Sequence, residues 1–200
     1  MASRLFHIIS FLFHPILLPT FAMLLLLNSN PYLFDGIEIM KLVAIVFLYT
    51  TVFPLITILL MLKLSFISSI YMKERKERIL PYMVMSFYLF YTYWVIHEKF
   101  AVPDIVPQAL LGITLASFAA FFFNLFFKIS MHTIGAGYFM SLVLIVAFVS
   151  SFKMLATVMM VFLIAGLVGS ARLYLKAHHP VEIYFGYGIG LVSLLVALQF

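Results

Sequence analysis

Residues 153–200 read KMLATVMMVFLIAGLVGSARLYLKAHHPVEIYFGYGIGLVSLLVALQF. Two apolar runs, about 153–171 and about 181–200, are joined by a polar stretch, Ser170-Ala-Arg-Leu-Tyr-Leu-Lys-Ala-His-His-Pro-Val-Glu182. Each run approaches the ~20 residues that a helix needs to cross the hydrocarbon core of a bilayer. Neither alternates apolar and polar residues as a barrel strand does. In lipid a segment must satisfy its own backbone polar groups, so the runs predict transmembrane helices. Arg172, His178, His179 and Glu182 sit where the two helices meet, and ionisable groups at that depth are functional candidates by default.

The rest of the chain repeats the pattern. Five further apolar runs cover about 5–27, 39–71, 79–96, 105–127 and 133–151. The expectation is an all-α polytopic bundle of seven crossings. Six is the alternative, if the first run, which Pro15 and Pro19 should kink, fails to span. That run is too long for a signal-peptide core and reads as retained. The second is longer than a crossing needs, so it should tilt, bend at Pro54 or protrude past Lys63. Pro81 suits the first turn of the third. Connections are short, leaving a single membrane domain over 1–200 with no soluble module.

Composition excludes several classes. Hydrophobic residues make up 66% and charged residues 10%, which no soluble domain shows. The absence of Cys removes disulfides, thiolate catalysis and Cys-ligated metals. A net charge of +5 reads as topology-setting loop charge plus a few positions that hold an anion, and not as a nucleic-acid surface. The spacing Gly186-x-x-x-Gly190, inside an apolar helix with no strand before it, reads as close helix packing and not as a dinucleotide loop. His7 and His14, in the first run, read as pocket or interface histidines.

Counting crossings places the remaining polar groups. Lys73-Glu-Arg75-Lys-Glu-Arg78 follows the second run, Lys128 to His132 comes two runs later, and Arg172 to Glu182 two runs after that. An even number of spans separates each pair, so all three clusters emerge at one membrane face. There Lys73, Arg75, Arg78, Lys128 and Arg172 offer cations, with arginine forks suited to phosphate oxygens. Ser130 and the first amides of the fifth helix add anion-binding donors. His132 and His178, from different helices, can act as proton donor and nucleophile. Glu182, four residues after His178, falls on the same face if the turn is helical, and would fix the imidazole tautomer. A pair of histidines with one nearby carboxylate is a poor metal set. A cationic pocket with a carboxylate-oriented histidine is what phosphoryl transfer without a metal needs.

These residues resemble the motifs of the type 2 phosphatidic acid phosphatase superfamily. Its third motif, Ser-Arg-x5-His-x3-Asp, is similar to Arg172-x5-His178-x3-Glu182, with Glu for Asp and Ser170 one place early. The second, Pro-Ser-Gly-His, survives as Ser130-Met131-His132. In the first, Lys-x6-Arg-Pro, Lys73 and Pro81 keep their separation while Leu80 stands at the Arg position. The resemblance covers about residues 70–190. It implies that His178 forms a phosphohistidine, that Glu182 orients it, and that His132 protonates the departing lipid oxygen. It implies too that Lys73, Arg78, Ser130 and Arg172 clamp the phosphate, with no cofactor and no metal. The expected activity is hydrolysis of a phosphomonoester or pyrophosphate on a membrane lipid. The alternatives are a catalytically inactive lipid-phosphate binder or transporter on the same bundle, and a lipid phosphotransferase. Arg4, Lys63, Lys76 and Lys176 share the cluster face while Asp35, Glu38, Glu98 and Asp104 lie opposite, so the positive-inside rule turns that face to the cytoplasm.

Overall fold

A proline and the residue before it shape the first crossing. In the computed structural model, which describes residues 2–29, 31–35, 37–70, 72, 74–149 and 154–200, α1 (Ala2–Leu12) stops short of a single 3-10 turn, Pro15–Leu17, and α2 (Leu18–Ser29) then continues inward. His14 is extended (φ −68°, ψ 131°), as the residue before a proline prefers. The break therefore belongs to Pro15. Pro19, expected to kink the run as well, sits in the first turn of α2, where its missing N–H costs nothing.

The second crossing is α3 (Ile39–Phe47), a π turn over Leu48–Val52, and α4 (Phe53–Lys63). Pro54 cannot donate to the ladder, and the wide turn before it absorbs the register change, with the Phe53 N–H reaching back to the Leu48 carbonyl. Thr51 Oγ1 donates to the Ile16 carbonyl at 3.0 Å, which pins the π turn to the break in the first crossing. Of the outcomes offered for this long run, the irregularity falls just before Pro54 and the helix does not continue past Lys63. Leu64 ends the helix, Ser65 turns left-handed (φ 62°), and the Phe66 N–H bonds the Met61 carbonyl at 2.9 Å, a Schellman stop.

Five uninterrupted helices follow: α5 (Ile79–Lys99), entered through a 3-10 turn at Lys76–Arg78, then α6 (Ile105–Asn124), α7 (Met131–Val149), α8 (Leu155–Tyr174) and α9 (Pro180–Ala197). The turn expected near Ser150 to Lys153 lies outside the described residues. Among the described residues there is no strand, and seven helices are long and apolar enough to cross a membrane. The protein is an integral membrane helical bundle. Its outer surface carries Phe11, Leu59, Phe148, Met159, Leu163 and Val192 exposed, the face a bilayer covers.

At the centre α7 packs on α9, α8, α6 and α2. Tyr138, fully buried on α7, donates to the Ala109 carbonyl of α6 at 2.7 Å. Small residues let α7 and α9 approach: a Cβ at Gly190 would strike the backbone of Ile134 and Tyr138, and one at Gly186 would strike Thr133 and Ser130. A Cβ at Gly188, by contrast, would meet open space. Lipid tails offer no hydrophobic drive between helices, so this van der Waals fit is the main force holding the pair. It also sets the start of α9 against the start of α7.

Candidate functional site

The tight α8–α9 turn builds the centre of the site. Lys176 is left-handed (φ 51°), the Ala177 N–H bonds the Arg172 carbonyl at 3.1 Å and the Lys176 N–H bonds the Leu173 carbonyl at 2.9 Å. This Schellman closure ends α8 one turn after Arg172 and starts α9 at Pro180. His178 lies just outside α9, so the helical i,i+4 pairing expected with Glu182 is not what joins them. Glu182 is at the third helical position. Its carboxylate reaches back to the helix entrance, where Oε2 accepts from the His179 N–H at 3.4 Å and lies 2.6 Å from His178 Nδ1. A carboxylate at that end also complements the helix dipole.

His178 is 7% exposed. Burial holds its imidazole down, to a pKa of about 3, and Arg78, Arg172, Lys128 and His179 push in the same direction. At neutral pH the ring is therefore neutral, its Nδ1–H donates to Glu182, and its Nε2 keeps the lone pair. Nε2 has no hydrogen-bond partner among the described residues.

The three polar clusters do converge. Arg78, 8% exposed, donates from Nε to the Met72 carbonyl at 2.7 Å and from Nη1 to the Ile129 carbonyl at 3.5 Å, which ties the segment before α5 to the turn before α7. Lys128 sits in that turn. Burial, followed by Arg78, holds its ammonium below the usual lysine range, while Glu182 and Glu74 oppose the shift. Arg172 donates from Nη1 to Ser10 Oγ at 3.4 Å, and its buried Nε has no partner among the described residues. An incompletely satisfied buried guanidinium is costly unless an anion completes it.

Arg75 and Ser130 make other contacts. Arg75 is occupied elsewhere: its Nη1 donates to the carbonyls of Asn124, at 2.9 Å, and Leu125, while Asn124 Nδ2 donates back to the Arg75 carbonyl at 3.1 Å. It closes the C-terminal end of α6. Ser130 is buried and caps α7, its Oγ accepting from the Thr133 N–H at 3.4 Å. Lys73 lies outside the described residues.

His132 is drawn to a part of the chain that sequence reasoning did not assign to the site. Its Nε2 is 3.1 Å from the Ser10 carbonyl of α1, and its ring meets that of His14 edge to face, centroids 5.3 Å apart. Among the described residues no hydrogen bond joins His132 to His178, while Arg172, which donates to Ser10 beside His132, also acts on His178. Tyr82, read from the sequence as a packing aromatic, is buried within electrostatic reach of Arg78 and Arg172. The sequence reads His7 and His14 alike as pocket or interface histidines, so nothing there separates His14 from His7. Nothing marked Ser10.

Comparison with family models, curated proteins and solved structures yields no match. Among the described residues no three His, Asp or Glu side chains are grouped to hold a metal ion. The cluster offers a neutral, oriented imidazole within reach of several cationic groups, Arg78 buried and Arg172 and Lys128 half-buried. That arrangement can bind a phosphoryl group and present a nitrogen lone pair to phosphorus.

Proposed function

We propose that the protein is a membrane-embedded lipid phosphatase that hydrolyses a phosphomonoester or pyrophosphate of a membrane lipid through a phosphohistidine. What carries this reading is the 2.6 Å contact between His178 Nδ1 and Glu182, on a buried ring surrounded by Arg78, Lys128 and Arg172. The phosphate sits against those three groups, with the lipid tail among the helices. His178 Nε2 attacks phosphorus, a P–N bond forms, and the bond to the lipid oxygen breaks. Glu182 stabilises the charge that develops on the imidazole. The departing oxygen takes a proton from a neighbouring donor, either water or an imidazole N–H. Water then attacks the phosphohistidine, the P–N bond breaks, and inorganic phosphate leaves.

The test is phosphate release by the purified protein from a panel of lipid phosphates in mixed micelles, with His178→Ala beside it. Release that depends on His178 supports the reading, and release unchanged in His178→Ala excludes the phosphohistidine. A second reading, a binder of lipid phosphates without turnover, draws on two observations. His132 Nε2 is engaged by a backbone carbonyl, and Leu80 occupies the position where the resembled motif has Arg. Saturable binding of a lipid phosphate without release would favour it.

A further inference from the structure

Beside the cationic cluster, and separate from it, lies a cavity of about 350 Å³ between the first-crossing break, α7 and α8. Its walls are apolar, including Phe21, Phe139, Val161 and Ile164, and His14 and His132 are the titratable side chains that line it. Taking ~30 Å³ for a group the size of water, it holds roughly a dozen such groups, about the length of one hydrocarbon chain. It follows α7 from His132 to Phe139, about 10 Å along the helix axis. One end lies near the polar face and the other near mid-bilayer. Phe21 is exposed on the surface of α2, so a chain can enter from the lipid.

The two histidines define what sits at the polar end. His14 Nδ1 accepts from the Ile16 N–H at 3.3 Å, which leaves that nitrogen unprotonated and puts the ring's proton on Nε2. His132 Nε2 faces a carbonyl, which only accepts, so Nε2 carries the proton and the neutral ring keeps a lone pair on Nδ1. One N–H donor and one lone pair on adjoining rings match the two sides of a hydroxyl group. Among the described residues no charged side chain lines the cavity, and Arg172, which acts on both histidines from beside it, is already engaged by Ser10, so a neutral head suits the lining better than an anionic one.

We infer that this cavity binds a long-chain alcohol by its hydroxyl, with the hydrocarbon chain running along α7 toward mid-bilayer. The inference rests on the cavity and the histidine pair and does not require His178 to react. If the proposed chemistry also holds, the alcohol is either what loss of the phosphoryl group leaves or what accepts it. Arg172, which holds Ser10 and acts on both His132 and His178, links the two places.

The experiment is photolabelling of the protein in nanodiscs with hexadecanol bearing a diazirine about eight carbons from the hydroxyl, which matches the ~10 Å length of the cavity, followed by peptide mapping. Label should concentrate on the α2, α7 and α8 segments that line the cavity. Unlabelled hexadecanol should compete at least ten-fold better than hexadecane. Ile164→Trp and Gly135→Leu should remove the label. If Gly135→Leu does not fold, Ile164→Trp, at a half-exposed position, carries this arm. His14→Phe combined with His132→Phe should keep chain labelling and erase the preference for alcohol over alkane. Three results would overturn the inference: label spread over all lipid-facing surfaces, equal competition by hexadecane, or stronger competition by hexadecyl phosphate. A phosphate-release assay on the same sample, with hexadecanol added, reports separately on His178. Slowed release identifies the alcohol as product, and newly formed hexadecyl phosphate identifies it as acceptor.

Discussion

At the scale of single residues, His178 and Glu182 form the pair on which the proposed chemistry turns. Replacing Glu182 with Gln keeps the shape and removes the carboxylate that orients Nδ1–H. Turnover should fall by at least ~10²-fold, with substrate binding far less affected, by analogy with carboxylates that orient catalytic histidines. Measured kcat and KM of Glu182→Gln would show it, and a loss confined to KM would mean that the carboxylate only shapes the pocket. The histidine also carries a pH signature. Its pKa falls from an ordinary 6.5 to about 3 on folding. The unfolded chain therefore binds more protons than the folded one between those values. Stability from this residue is fully present above pH 6.5 and is lost as pH falls toward 3. Thermal unfolding of wild type and His178→Phe across pH 3 to 7 should diverge in slope over that window, and parallel curves would contradict a buried neutral ring. The residue scale is also where the sequence was least sufficient. Arg75 looked like one more cation in a cluster. Its engagement by the carbonyls at the end of α6 is something a linear reading cannot weigh. Ser10 has no distinguishing neighbours in the chain, and only the packing of α1 on α8 brings it to Arg172 and His132.

At the scale of elements, helix ends and helix contacts fix the site. Gly190→Ala should push α9 off α7 and cost about 1–3 kcal/mol, the usual range for overpacking, while Gly188→Ala should change little because a Cβ there meets nothing. Unfolding of the two variants in detergent compares them directly, and equal losses would mean that the glycines do not set the approach. Ser65 holds a left-handed backbone at the end of α4, where an L-residue is strained by roughly 1–2 kcal/mol. Ser65→Gly should therefore raise the midpoint of thermal unfolding. The helices themselves were plain in the sequence, because runs near bilayer thickness leave one backbone solution. Their ends were less so. The apolar run through residue 71 suggested a longer second crossing, yet Schellman closure at Leu64 depends on backbone angles that hydropathy does not carry. The polar turn between α8 and α9 was legible for its residues, but the link from Glu182 to His178 comes from a side chain reaching back over a helix start.

At the scale of the whole molecule, crossing parity does the organising. Seven spans bring the segments near Arg78, Lys128 and Arg172 to one face, and the hydrogen bonds from Arg78 and Arg75 to the turns after α6 join two of them. Having no native Cys, the chain suits single-cysteine mapping. Lys76→Cys and Lys176→Cys should react with an impermeant maleimide from one side of the membrane, which the positive-inside rule makes the cytoplasmic side, and Glu98→Cys from the other. Labelling of all three from one side would break the topology.

The most direct measurement is a trap of the covalent intermediate. Purified protein mixed with a lipid carrying a radiolabelled phosphate, quenched within a turnover and mapped by mass spectrometry, should yield acid-labile, base-stable phosphate on the peptide containing His178, absent in His178→Ala. Rapid phosphate release with no label on that peptide, or label that persists in His178→Ala, would contradict the central claim.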